Sequence, residues 1–232
     1  MSRPADAPTS VVIDCLEAIA VGAEPLVIDE MSGQLADALR AAGSVPQVWQ
    51  RFADGGNAGE AWPAAATCSS AFVRLGKDRR ALAMALDAAA SVVVPGGTIV
   101  LFGANAEGVK SAAKSLDAVA EGVVTVDTRR HSRVIAGVRR REIAEYRGTL
   151  AAWRDVGQLE LKGAVRPWVS YRGVFAGGGL DPGTGLLLEN LPEVGTRRQA
   201  ASVLDLACGT GIIGAVARER YAGGSVDFVD AD

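Results

Sequence analysis

Apolar residues along this chain alternate between short runs typical of buried strands and longer stretches with helical spacing. The short runs predict strands over residues 26–29 and 71–75, and the stretches with apolar positions every three or four residues predict helices over 31–42 and 78–93. Further strands are expected at 48–52, 98–102, 123–126 and 133–138, and further helices at 106–120 and 142–155. This alternation predicts an α/β fold with a parallel, Rossmann-like sheet.

The last thirty residues show the pattern in a more specific form. An apolar strand containing Asp205 runs into a glycine-rich segment and a helical stretch, and a second strand then ends at Asp230. This is the first β-α-β unit of a nucleotide-type fold. Because the sequence reaches Asp232 two residues later, we expect a cofactor site that is begun but not completed within these residues.

The two ends of the chain resemble each other. Residues 27–33 align with residues 203–209, so that Gly33 matches Gly209, and Leu35 and Ala38 then stand where later glycines would be. A Cβ at those positions crowds a ligand against the loop, so this alignment predicts a first copy without a pocket. A chance likeness of two strand-loop-helix units is the alternative.

These patterns divide the chain into four parts. We expect a disordered lead, a degenerate Rossmann-like domain, a connector with a β-hairpin that packs on the second domain, and the N-terminal part of that second domain. The corresponding ranges are 1–8, 9–160, 161–194 and 195–232.

Composition narrows the classes of function. Apolar residues make up 49% of the chain, enough for a core, and the net charge of −3 excludes a globally basic nucleic-acid binder. No apolar run approaches the ~20 residues of a membrane span. Cys15, Cys68 and Cys208 lack the spacing of a zinc site or a redox dithiol, so we expect no metal and a reducing cytoplasm.

The glycine-rich segment 209–214 fits the dinucleotide fingerprint, but the residues around it favour another cofactor. Asp205 at the strand end would repel a pyrophosphate, whereas it suits the sulfonium and ammonium groups of S-adenosyl-L-methionine (SAM). Asp230 is placed to accept hydrogen bonds from ribose hydroxyls in either cofactor class. A dinucleotide and a ligand-free turn remain the alternatives, and Cys208 is read as a small loop residue rather than a nucleophile.

Two segments carry a family resemblance. Residues 204–211 resemble motif I of class I methyltransferases. Residues 173–188, Gly-Val-Phe-Ala-Gly-Gly-Gly-Leu-Asp-Pro-Gly-Thr-Gly-Leu-Leu-Leu, resemble the segment before it in the small-domain methyltransferases, in particular the C type of the bacterial guanine-N2-methyltransferases that modify small-subunit ribosomal RNA. The resemblance extends over roughly residues 20–232. It implies SAM-dependent methylation of a guanine amine in ribosomal RNA.

The resemblance also implies roles for individual residues. It places Asp230 at the ribose and Thr184 at the methionine end of the cofactor. The cofactor pocket itself would be formed by Asp205, Ala207, Cys208, Gly209, Thr210 and Gly211.

The acceptor side of the family pattern is missing. The motif Asn-Pro-Pro-Phe/Tyr, whose Asn side chain and Pro carbonyl hold the amine being methylated, has no counterpart in this sequence. The resemblance therefore implies no catalytic residue here, and we expect the N-terminal fragment of a longer methyltransferase that is inactive by itself.

A dense basic run interrupts the acidic chain and suggests contacts with the phosphates of ribosomal RNA or of a ribosomal particle. Its members are Arg129, Arg130, Arg133, Arg139, Arg140 and Arg141. A solvated strand edge and helix face is the alternative interpretation. For the whole chain, the alternatives are a small-molecule or protein-glutamine methyltransferase and a non-catalytic RNA- or ribosome-binding adaptor.

Overall fold

The computed structural model describes residues 6–51, 60–64, 67–76, 78–161, 163–174, 179–192, 202–221 and 224–230. Two compact units follow each other along the chain, Met1–Trp153 and Arg154–Asp232. This boundary lies before the predicted one at residue 160, because Asp155–Leu161 is already the first strand of the hairpin in the second unit.

The first unit is built on one sheet with the strand order β2-β1-β3-β4-β6-β5. Its strands are β1 (Leu26–Ile28), β2 (Gln47–Trp49), β3 (Cys68–Arg74), β4 (Val93–Ala104), β5 (Ala120–Arg129) and β6 (Ser132–Arg139). Strands β1 to β4 pair in parallel, as predicted. The last two form an antiparallel hairpin at one edge, because Arg130 and His131, both at positive φ, reverse the chain within two residues.

Four helices flank this sheet: α1 (Ala7–Asp14), α2 (Gln34–Ala41), α3 (Arg79–Val92) and α4 (Val109–Leu116). The predicted disordered lead is wrong for Ala7 and Pro8, which form the first turn of α1, while residues 1–5 lie outside the described residues. A proline in the first turn and the Asp6 carboxylate, which accepts a hydrogen bond from the Thr9 amide at 2.9 Å, begin this helix.

Both faces of the sheet are buried. Val73 and Leu101 pack with α3 and α4 on one side, whereas their neighbours Phe72 and Val100 pack with α1 and α2 on the other. Because successive side chains of a strand point to opposite faces, such continuous apolar strands lie at the centre of a three-layer sandwich.

Residues 95–97 lie inside β4 as a bulge. Cys68 pairs with Val93 and Ser70 with Thr98, so the β4 side carries the extra residues. Gly97 leaves no room for a side chain, since a Cβ there would lie 2.6 Å from the Ser69 carbonyl oxygen.

The helix predicted over residues 142–155 is wrong. Only Leu150–Trp153 is helical, as a 3-10 turn. The buried Asp87 carboxylate of α3 instead accepts hydrogen bonds from the Gly148 amide and the Trp153 indole, both at 2.8 Å, and from the Arg147 amide at 3.4 Å. This carboxylate holds the segment in an irregular path of bends and turns that includes positive φ at Glu145 and Gly148.

The second unit contains a hairpin and a β-α-β segment. Its elements are β7 (Asp155–Leu161), β8 (Ala164–Ser170), α5 (Pro182–Glu189), β9 (Ser202–Leu206), α6 (Ile212–Arg220) and β10 (Ser225–Val229). Leu159 of the hairpin, Leu188 of α5 and Val216 of α6 share one core. The hairpin therefore packs on the second domain, as predicted, although its first strand begins before residue 161, and residues 175–178 and 193–201 of the predicted connector and domain start lie outside the described part.

Replacing Asp87 by Ala should destabilise the first unit by about 3 kcal/mol, because three N–H donors lose a charged acceptor and the Trp153 indole among them is buried. Chemical denaturation of the chain, followed by tryptophan fluorescence, measures this. Asp37→Ala is the control, since among the described residues Asp37 forms an ion pair only with Arg40, at an exposed site. Equal stability of the two variants would contradict the role assigned to Asp87.

Candidate functional site

The glycine loop of the second unit connects β9 to α6. Three of its residues have left-handed backbone conformations: Ala207 at φ 59°, Gly209 at 54° and Gly211 at 76°, the last being the N-cap of α6. Glycine adopts such angles without strain. The Cys208 amide donates to the Val229 carbonyl at 3.2 Å, so the loop folds back over the end of β10.

Asp205 is buried, with 4% of its surface exposed. Its carboxylate accepts a hydrogen bond from the Gly214 amide at 2.7 Å, which ties β9 to the first turn of α6. The predicted contact of Asp205 with the cofactor remains a prediction; the structure places this carboxylate on the helix side of the loop.

Asp230 is exposed and lies directly after β10. Its carboxylate accepts a hydrogen bond from the Gly209 amide at 2.5 Å. The residue predicted to bind ribose therefore lies beside the glycine loop, and the structure brings Asp205, Gly209 and Asp230 together around one connection.

The pKa of the Cys208 thiol reflects the negative charge near this loop. Burial, followed by the Asp230 and Asp205 carboxylates, raises the pKa of Cys208. The thiol is therefore protonated at neutral pH, which agrees with its interpretation as a loop residue rather than a nucleophile.

Thr184 lies in the first turn of α5, where its hydroxyl donates to the Asp181 carboxylate at 2.5 Å. Asp181 is the N-cap of this helix, and the hydrogen bond from Thr184 lowers its pKa. The hydroxyl predicted to reach the methionine end of a cofactor is thus engaged in capping. Thr210 is half-buried in the loop, and Val174 approaches the loop, 3.9 Å from the position of a Cβ on Gly209.

Phe228 is a site residue that the sequence analysis missed. Its ring lies against Gly211 and Gly214, and a Cβ on Gly214 would overlap it. The third glycine of the loop is therefore required for the packing of α6 on β10. The signal in the sequence was the pairing of a helix glycine with an aromatic residue two positions before Asp230.

The first unit contains the same connection, but two residues out of the predicted alignment. Gly33, the N-cap of α2 at φ 75°, matches Gly211 rather than Gly209, and Asp29 at φ 57° matches Ala207. The structural alignment differs from the predicted one because the left-handed backbone positions of the two loops match each other, whereas their acidic residues do not.

The loop of the first unit is filled by its own side chain. Glu30, 2% exposed, accepts hydrogen bonds from the Ser32 amide at 3.0 Å, from the Leu35 amide at 3.4 Å and from the Thr9 hydroxyl at 3.3 Å. Arg51 forms an ion pair with Asp29 at 2.9 Å. These contacts fill the loop of the first unit with its own side chains. A first copy without a pocket stays a prediction, and its predicted cause is wrong, because in the structural alignment Gly33 itself stands in the place of Gly211.

The basic run does not form one surface. Arg129 and Arg130 lie at the tip of the β5–β6 hairpin and pair with Asp127 and Asp14. Seven residues of strand, roughly 23 Å, separate this tip from the other end of β6.

The arginines at the C-terminal end of β6 stabilise the fold of the first unit. Arg139 donates to the Ala90 carbonyl near the end of α3, and Arg140 donates to the Asp117 carbonyl after α4. Arg133 has a buried Nε without a partner among the described residues, and Arg141 is exposed. Contact of the run with RNA remains a prediction.

A cavity of about 330 Å³ lies in the second unit away from the glycine loop, among the hairpin, α5 and α6. Leu188 and Val216 line its apolar part, and Glu160, Glu189 and Arg166 its charged part. Within the described ranges, no group of three or more His, Cys, Asp or Glu side chains could hold a metal ion. None of the helices described is both long and apolar enough for a membrane span.

The model of the methyltransferase small domain N-terminal family matches residues 25–153, more than half of the chain, and that of the methyltransferase small domain matches residues 167–232. The chain is 39% identical to ribosomal RNA small subunit methyltransferase C of Pseudoalteromonas atlantica over 53% of this chain and 34% of the relative. Its identity to the protein of the same name from Pseudomonas putida is 32% over 88% of this chain and 60% of the relative. The chain thus spans between a third and three fifths of these relatives' length.

A solved structure shares the fold. The 16S rRNA N2 methyltransferase RsmC of T. thermophilus, in complex with AdoMet and guanosine, superimposes with a TM-score of 0.75 and 23% identity. The match covers 96% of this chain and 62% of that one. The α/β architecture predicted from the sequence is therefore confirmed.

Replacing Gly214 by Ala should loosen α6, because the added methyl group overlaps the Phe228 ring and its accommodation costs about 1–3 kcal/mol. Amide hydrogen exchange over Ile212–Arg220 should become faster. Gly185→Ala is the matched control, since Gly185 also lies in a helix but a Cβ there meets its nearest atom at 3.9 Å.

A second substitution tests the assigned cause. Phe228→Leu combined with Gly214→Ala should recover part of the lost protection, since the shorter side chain leaves room for the methyl group. Unchanged exchange in Gly214→Ala would rule out the proposed packing constraint.

Proposed function

The chain belongs to the small-domain methyltransferase family, and from this we propose that its glycine loop binds SAM and that the protein methylates the N2 amine of guanine in small-subunit ribosomal RNA. The names of the relatives and the AdoMet and guanosine in the RsmC complex support this assignment. They do not favour a small-molecule or protein-glutamine substrate. With ribosomal RNA as the substrate, the cytoplasm is the compartment in which we propose that the protein acts.

The observation that carries the choice of cofactor is the negative charge of the glycine loop. Asp230 accepts from the Gly209 amide of the loop and Asp205 from the Gly214 amide in the first turn of α6, and both carboxylates add to the effect of burial in raising the pKa of Cys208. A pyrophosphate would be repelled by these two carboxylates, which also occupy two of the amides at this connection. A sulfonium cation would be attracted, so the residues present fit SAM better than a dinucleotide.

Each residue of the loop has a distinct task in this proposal. Gly209 and Gly211 keep the loop backbone accessible to the nucleoside, since neither carries a Cβ. Asp230 accepts hydrogen bonds from the ribose hydroxyls, and Asp205 fixes the loop against the first turn of α6. Thr184 orients α5 through Asp181 and contacts the methionine end only after its hydroxyl turns away from that carboxylate.

When bound, SAM supplies an electrophilic methyl group for an in-line displacement by the guanine amine. The protein contributes mainly orientation, worth several kcal/mol of the barrier. The amine must be held by hydrogen-bond acceptors and the base unstacked from folded RNA. The family's Asn-Pro-Pro-Phe/Tyr segment supplies such acceptors, and these 232 residues contain no such segment. We therefore assign cofactor binding, and not methyl transfer, to the residues of this chain.

Isothermal titration of the chain with SAM should show binding, and Asp230→Ala should weaken it by about tenfold to a hundredfold, the value of charged hydrogen bonds to two hydroxyls. Asp227→Ala is the matched control, because Asp227 lies in the same strand, opposite Leu204, and removes the same charge. The control should bind as the unchanged chain does.

Two outcomes would contradict this proposal. Tighter binding of NAD than of SAM would assign the loop to a dinucleotide. Equal losses in Asp227→Ala and Asp230→Ala would show a general charge effect rather than recognition of ribose.

A further inference from the structure

The starts of α3 and α4 meet on the surface of the first unit. The Arg79 guanidinium of α3 donates to the Ser111 hydroxyl of α4 at 2.9 Å. Lys110 and Lys114 lie one turn apart on α4, and all four side chains are exposed. We call Arg79, Lys110, Ser111 and Lys114 the α3–α4 surface.

The cations of this surface differ from most others in the first unit. No carboxylate among the described residues lies within 4.0 Å of the charged groups of Arg79, Lys110 or Lys114. Seven arginines elsewhere in the unit are neutralised, in the pairs Arg40–Asp37, Arg51–Asp29, Arg74–Asp6, Arg74–Glu107, Arg80–Asp78, Arg129–Asp127, Arg130–Asp14 and Arg140–Glu121. Arg133, Arg139, Arg141 and Arg147 form no ion pair among the described residues, but Arg139 donates to helix carbonyls and Arg147 lies over the Trp153 ring. Positive charge therefore remains uncompensated at the α3–α4 surface.

The backbone adds to this charge. The N-cap of α4 is Gly108, whose lack of a side chain leaves the first amides of this helix without a side-chain cap. A helix N-terminus carries a partial positive charge. Asp78 caps α3 and offsets part of its charge, so the excess lies at the first turn of α4, which contains Lys110, while Lys114 lies in the last turn.

We propose that the α3–α4 surface binds phosphate groups of the RNA substrate, an inference that rests on the proposed function. Lysines and an arginine on flexible stems bind phosphates without reading sequence. The Ser111 hydroxyl donates to the Gly108 carbonyl and so holds the surface together rather than binding the phosphate. RNA is favoured over other anions because the relatives of this chain are ribosomal RNA methyltransferases by name. The arginine run predicted for this task is less suited, since its tip is paired with carboxylates and Arg139 and Arg140 bind helix ends.

The test is the binding of a fluorescein-labelled RNA hairpin to the chain, followed by anisotropy over a series of salt concentrations. Lys110→Ala combined with Lys114→Ala should weaken binding by about tenfold to a hundredfold near 0.1 M salt and lower the slope of log K against log salt by about 1.5 to 2, as expected for two lost phosphate contacts. Alanine preserves the helix at both positions. Arg79→Ala should lower the slope by about 1.

Two pairs of substitutions with the same change in charge serve as comparisons. Arg40→Ala with Arg218→Ala removes two exposed helix cations from elsewhere and should leave RNA binding nearly unchanged. Arg129→Ala with Arg130→Ala tests the hairpin tip. The proposal is overturned if the tip variant loses binding while the lysine variant does not, or if the control loses as much as the lysine variant.

Two further measurements separate this inference from its premise. The variant with Lys110→Ala and Lys114→Ala should bind SAM as tightly as the unchanged chain does. A loss of SAM binding can therefore be distinguished from a loss of RNA binding. If the lysine variant lost binding to phosphatidylserine vesicles but kept RNA binding, the surface would be assigned to a membrane and the proposal would fail.

Discussion

Backbone amides at the start of a helix need acceptors, and this requirement governs both strand-loop-helix connections of the protein. Each connection ends in a left-handed glycine, Gly33 or Gly211, whose conformation leaves the following amides directed into the loop. Carboxylates satisfy the amides in both units. The position of the carboxylate in the chain decides whether the loop is closed or remains accessible.

In the first unit the carboxylate comes from within the loop. Glu30 is buried and contacts the loop, α1 and α2 at once, so it acts as part of the core. Along the same edge of the sheet, Arg74 pairs with Asp6 and Glu107, and Arg51 with Asp29. Ligands bind at the carboxyl edge of open α/β sheets, and here internal ion pairs occupy that edge. The unit is left with its outer helices as surfaces for a partner.

In the second unit one carboxylate lies under the loop and the other at the end of the neighbouring strand. The buried Asp205 accepts a hydrogen bond from the first turn of α6, while Asp230 accepts one from the Gly209 amide at an exposed position. The Phe228 ring fixes the spacing between α6 and β10. The loop is thereby shaped by buried contacts on one side and presents an acid on the other, the combination that a nucleoside with a cationic group requires.

The sequence predicted features that depend on neighbours in the chain. Apolar spacing located α3 within one residue at each end, and the structure adds Asp78 as its N-cap. The glycine loop, its flanking acids and the hairpin connector followed from local pattern and family resemblance. The internal repeat was also detected, but its alignment was two residues off, because matching letters weighted the acids whereas the structure conserves the left-handed positions.

The predictions that failed depended on distant residues. The pattern after β6 predicts a helix, yet Asp87, some sixty residues away in the chain, binds amides of this segment and holds it in an irregular path. The arginine run was dense along the sequence, but a strand separates its members by its whole length, and ion pairs or carbonyls engage most of them. Sequence alone determined which loops and charges exist. Only the tertiary structure decided which amides and charges are already satisfied, since their partners come from other elements of the sheet.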